Sequence, residues 1–123
     1  MQIPKELMEL IGDLVLSYKL GTPYPFEMQF ESGGLTVECP WRLHRAGETV
    51  LGYTDLRNSV KLEEVACVLD SLLYKKIIDI KFYSDVNVLC IIFEEGYQVD
   101  LFHDSLQYEG WEVYTNSGFT FIS

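Results

Sequence analysis

Residues 77–101, IIDIKFYSDVNVLCIIFEEGYQVDL, decide the fold class. Ile78, Ile80 and Phe82 alternate with Asp79 and Lys81, the two-residue period of a strand with one face in a core. Val88 to Phe93 is apolar without interruption, as expected for a strand lying centrally in a sheet. Glu94-Glu95-Gly96 then separates it from Val99-Asp100-Leu101. Glycine supplies the positive φ that a tight hairpin requires, so these strands run antiparallel.

Working outward, the same succession occurs earlier in the chain. Leu10 to Tyr18 echoes Leu73 to Phe82, and Phe30-Glu31-Ser32-Gly33 with Leu35-Thr36-Val37 echoes Phe93-Glu94-Glu95-Gly96 with Val99-Asp100-Leu101. Trp41-Arg42-Leu43 is answered by Trp111-Glu112-Val113. The offset grows from about 63 to about 70, which places a longer loop at 103–110 in the second copy. Leu14, Leu16, Tyr18 and Leu20 share one strand face, and Glu31-Ser32-Gly33-Gly34 is a second glycine hairpin. Asn116-Ser117-Gly118 turns a last hairpin, with Trp111 and Val113 facing the core and Glu112 and Tyr114 outward. Gly21-Thr22-Pro23-Tyr24-Pro25 reads as a loop, because proline removes ladder donors.

Each copy begins with a helix. Leu62, Val65, Ala66, Leu69, Leu72 and Leu73 form one apolar stripe at helical spacing. Asn58 or Ser59 can cap it, Glu63 and Glu64 occupy its first turn, and Lys75 and Lys76 end it. A shorter helix follows Pro4, buries Leu7, Leu10 and Ile11, and stops at Gly12. The expectation is an α+β fold, mostly antiparallel, built from two pseudo-repeated helix-plus-strands units of about 1–57 and 58–123. Both units share the core of a single domain.

Among 123 residues, 48% are hydrophobic, which suffices for a folded core without disulfides or metal. Cys39, Cys67 and Cys90 cannot all pair and show no CxxC spacing, so reduced thiols in a cytoplasm are expected. The opening Met-Gln-Ile-Pro-Lys-Glu lacks the basic start and apolar stretch of a secretory signal. The longest apolar run is far below the roughly 20 residues of a membrane helix.

Charge is uneven. Residues 1–81 carry twelve acids against nine bases, whereas residues 82–123 carry seven acids and no Lys or Arg, for a net charge of −10. That balance disfavours nucleic acid and anionic membrane as partners. It favours a basic protein, attracted by carboxylates beside aromatic anchors. The candidate partner-binding residues are Glu94, Glu95, Asp100, Asp104, Tyr108, Glu109, Glu112 and Tyr114. They are expected to form one contiguous acidic face on the C-terminal half, or else simply to keep the chain soluble.

No catalytic, cofactor or metal site is expected. His103-Asp104 near Asp100 lacks the HxH or HExxH spacing of zinc ligands. A nucleophile set drawn from Cys90, His103 and Asp100 would need a reactive thiol, yet Cys90 sits inside the most apolar strand. Carboxylate pairs for glycoside chemistry cannot be placed from sequence. Gly33-Gly34 lacks the following helix of a phosphate loop. Trp41-Arg42-Leu43 reads as a structural anchor.

Phe93-Glu94-Glu95-Gly96, Tyr108-Glu109-Gly110-Trp111 and Trp41-Arg42-Leu43 resemble motifs of small bacterial proteins of unknown function related to polymorphic-toxin immunity proteins. The resemblance implies a non-enzymatic cytoplasmic protein that masks a toxin's active site, and it carries over no catalytic residue. Two other readings stay open: a dimeric export chaperone for an effector, and an enzyme with a cleft between the repeats. A homodimer fits the chaperone, and a stable monomer counts against it.

Overall fold

The computed structural model describes residues 3–21, 26–57, 62–107 and 109–123. Alternating side chains produce ten strands: β1 (Val15–Leu20), β2 (Phe26–Phe30), β3 (Gly33–Val37), β4 (Trp41–Arg45), β5 (Glu48–Gly52), β6 (Ile77–Tyr83), β7 (Val88–Phe93), β8 (Tyr97–Phe102), β9 (Trp111–Thr115) and β10 (Thr120–Ile122). All pair antiparallel, in two five-stranded sheets ordered β1-β2-β3-β9-β10 and β5-β4-β8-β7-β6. Each sheet is a three-stranded meander completed by a hairpin from elsewhere in the chain: β9-β10 joins β3, and β4-β5 joins β8. The fold class is therefore mixed α+β, dominated by antiparallel strands.

The inward faces of both sheets contribute to one buried cluster. Phe26 of β2 stacks on Trp41 of β4 at 4.6 Å between ring centroids. Phe82 of β6 meets Trp111 of β9 edge-on at 5.8 Å and Phe121 of β10 at 5.1 Å. Such inter-sheet contacts tie the layers, and burying each large apolar side chain contributes about 1.5–3 kcal/mol. A 3₁₀ segment, Lys5–Leu10, buries Leu7 and Leu10. Helix α1 (Tyr53–Arg57) follows β5, and helix α2 (Leu62–Leu69) buries Val65 and Leu69. The Tyr18 hydroxyl of β1 donates to Ala66 O at 3.0 Å and reaches Asp70 Oδ1 at 2.6 Å, cross-tying α2 to the first sheet.

Several local expectations are corrected. Leu16 is 44% exposed and Ile78 53% exposed, while Val15 and Ile77 are buried. Each strand has a register irregularity there, Val15/Ser17 and Ile77/Asp79, and one extra residue sends the next side chain to the other face. The cause is tertiary: Leu14 bridges Lys76, with Val15 N–H donating to Lys75 O at 3.0 Å and Ile77 N–H to Asp13 O at 2.8 Å. The strand β7 is interior, but the middle of its sheet belongs to β8. Helix α2 stops at Leu69 and passes into a 3₁₀ turn over Asp70–Leu72, so Lys75 and Lys76 lie beyond its last turn. The proposed caps Asn58 and Ser59, and residues 22–25 of the proline loop, fall outside the described residues.

Glycine acts in two ways. Gly96 takes positive φ (80°) in the β7–β8 turn, as expected, and so does Glu95 (64°). Gly33 and Gly34 do not: a Cβ on Gly33 would overlap the Tyr114 carbonyl oxygen, and one on Gly34 the Tyr114 phenol. Their role is close approach by β9, not turn geometry.

Among the described residues, no helix is long and apolar enough to cross a membrane.

Candidate functional site

The seven candidate residues that the structure describes do not form one contiguous face. Asp100 points away from the core from the central strand β8, yet it is only 3% exposed. Cross-strand register sets Arg42 beside it on β4 and Cys90 on β7. Arg42 donates through Nη2 at 2.8 Å and Nε at 3.3 Å, and Gln98 Nε2 donates to the other oxygen at 2.7 Å. His44 Nε2 stands 3.0 Å away without hydrogen-bond alignment, so that contact is electrostatic only. Burial pushes the Asp100 carboxyl up, but the bonds from Gln98 and Arg42 outweigh it and hold the group below its ordinary value. The Arg42 guanidinium also covers the Phe102 ring at 5.3 Å. The Asp100 carboxylate is thus paired within the protein.

Glu94 and Glu95 are also engaged internally. Glu94 Oε1 accepts from Lys76 N–H at 2.7 Å. Glu95 pairs with Lys75 Nζ at 2.7 Å, which lowers the carboxyl and raises the ammonium. Glu112 and Tyr114 lie on the outer face of the other sheet, as alternation predicts. Tyr114 is half-buried: its hydroxyl accepts from Gln29 Nε2 across β3, its phenol lying over Gly34. Tyr108 falls outside the described residues.

Asp104 and Glu109 remain exposed, and they belong to a different surface, one end of the sandwich. There the β8–β9 loop meets three other segments. Gly110 O accepts from Glu38 N–H at 2.8 Å, and Pro40 O accepts from Phe102 N–H at 2.9 Å. Ser123 Oγ accepts from Trp111 N–H at 3.0 Å. A Cβ on Gly110 would overlap Ser123 and the His103 ring, so this glycine lets loop and terminal strand close on each other. Between them lies a depression of about 490 Å³, lined by Asn87, His103, Asp104, Ser105, Leu106 and Ser123.

Segments 38–40, 84–87, 103–110 and 120–123 contain Glu38, Asp85, Asp104 and Glu109 but no Lys or Arg. All four carboxylates are exposed. Buried Cys39 lies beneath this end, its thiol pushed up to about 12 by burial and then by the Asp104 charge. Among the carboxylates stand three exposed apolar side chains: Leu106, fully exposed, Val86 at 65% and Ile122 at 62%. Sequence reading missed Glu38, Asp85, Val86 and Leu106. Only the lone leucine within a polar loop signalled them.

No family model, curated protein or solved structure matches this chain.

Cys90, His103 and Asp100 are not brought together as a nucleophile set. Asp100 is approached by His44 and not by His103, which lines the depression instead. Cys90 is bonded to Asp100, and burial followed by that bond pushes its thiol up to about 12. A working set needs the imidazole between thiol and carboxylate. Here the carboxylate stands in the middle. Among the described residues, no three His, Cys, Asp or Glu side chains gather as metal ligands.

Proposed function

We propose that this chain is a non-enzymatic protein-binding domain of the bacterial cytoplasm that neutralises a toxin, docking a basic partner on the acidic end of its sandwich. The observation that carries this reading is the coincidence of four exposed carboxylates and three exposed apolar side chains on chain segments that themselves contain no Lys or Arg. Uncompensated charge speeds encounter with a cationic surface, and desolvated apolar anchors then slow release. A second copy is a poor occupant, because a two-fold contact would set the same carboxylates against each other. The free thiols of Cys39, Cys67 and Cys90 fit a reducing compartment. The motif resemblance to immunity-related proteins points the same way.

The test begins with the gene's neighbourhood, where a basic toxin is expected to be encoded, and continues with co-expression of the two; a neighbourhood without such a gene counts against the reading. Asp85→Lys, Asp104→Lys and Glu109→Lys together should abolish growth rescue and weaken binding by at least about 100-fold. The same reversals at Glu27, Glu48 and Glu64 should leave both near wild type. Equal behaviour of the two triple variants would sink the proposal.

We also infer that the chain is two copies of a helix-plus-strands unit, about 1–57 and 58–123, with exchanged final hairpins. Supporting this, Glu31 Oε1 accepts from Leu14 N–H at 2.7 Å just as Glu94 Oε1 accepts from Lys76 N–H. Trp111 opposes Val37 as Trp41 opposes Leu101, and four residues further on Thr115 opposes Gly33 as Arg45 opposes Tyr97.

A further inference from the structure

We propose that the depression beside Asp104 receives an arginine side chain of the partner, a refinement that rests on reading this end as a docking surface. Its walls come from three separate places: Asn87 from the β6–β7 turn, Asp104 from the β8–β9 loop, and Ser123 beyond β10. Their oxygens are acceptors spread around one opening of about 490 Å³, within the size range of small-ligand pockets. A guanidinium presents five donors in a planar fork and can reach several such acceptors at once, whereas an ammonium concentrates three donors at a point. Asp104 offers the charge-assisted bond, and the fully exposed Leu106 offers apolar surface to the three-carbon stem.

Other occupants fit less well. An anion finds no Lys or Arg in the surrounding segments. A divalent cation finds a single carboxylate where it needs several oxygen ligands at close range.

The experiment titrates the full ¹⁵N-labelled chain with N-acetyl-arginine-N-methylamide and with its citrulline and lysine counterparts. Arginine should shift the amides of Asn87, Asp104, Leu106 and Ser123, with citrulline weaker by about tenfold or more because it lacks the charge. Asp104→Asn should remove that preference while leaving the melting temperature unchanged. Citrulline binding as well as arginine overturns the proposal, as do shifts spread equally over Glu27, Glu48 and Glu64. Lysine binding as well as arginine overturns the guanidinium assignment. A partner still captured by the wild type and lost in the triple reversal, with the arginine probe silent, would sink this inference and spare the protein-binding reading. An arginine probe that binds while the triple reversal leaves the partner bound would sink the docking reading, and with it the assignment of the arginine to a partner.

Discussion

At the residue scale, Asp100 is the most consequential acid in the chain, and its consequence is stability. Its outward position on a central strand resembles a solvent-facing site. Three neighbouring side chains from β4 and β8 enclose it instead, and its folded pKa lies below the ordinary 3.8. The ionised form is therefore favoured by folding. Stability from this group is fully present above the unfolded pKa and is lost as pH falls through the lower folded value. Asp100→Asn should cost about 1–3 kcal/mol at pH 7 in urea unfolding, with the difference shrinking as pH falls below the ordinary 3.8. A difference that stays constant across that range would contradict the assigned ion pairing.

At the element scale, the decisive contact is the one between β3 and β9. Both glycines of β3 exist so that Tyr114 can pass, one beneath its backbone and one beneath its ring. A backbone obstacle cannot move, whereas a ring can be removed. Gly33→Ala should therefore lower stability by roughly 1–3 kcal/mol with no single-site remedy. Gly34→Ala should be partly rescued by Tyr114→Ala, only partly because the new methyl also comes within 2.9 Å of the Met28 carbonyl oxygen. A double-mutant cycle measured by thermal unfolding should show coupling of about 0.5 kcal/mol or more. Additive effects would mean that Tyr114 does not lie over Gly34 in solution.

At the scale of the whole molecule, the two sheets are interlocked, since each completes its meander with a hairpin from the other half of the chain. Neither half can close its own sheet. Segments 1–57 and 58–123 expressed separately should lack cooperative unfolding transitions, because β3 and β8 would each present an unpaired edge. Mixed together they should regain near-native circular dichroism and one transition. Independent folding of either half would refute the interlock.

Periodicity was enough to recover the antiparallel α+β class, the buried positions Val65, Leu69 and Leu72, the hairpins at Glu94-Glu95-Gly96 and Asn116-Ser117-Gly118, and the inward pair Trp111 and Val113. These features depend on neighbours a few residues apart, where side-chain alternation and backbone torsion act directly. The bulges at Val15 and Ile77 were hidden, because hydrogen bonds between segments some 60 residues apart impose them. The acids illustrate the same division. Their number and their lack of companion bases are written in the chain, but Arg42 reaches Asp100 only through cross-strand register. Glu38, Asp85, Asp104 and Glu109 come to one end only because three segments distant in sequence end there. Local chemistry specifies which elements form; long-range pairing specifies which charges are neutralised inside and which are left exposed.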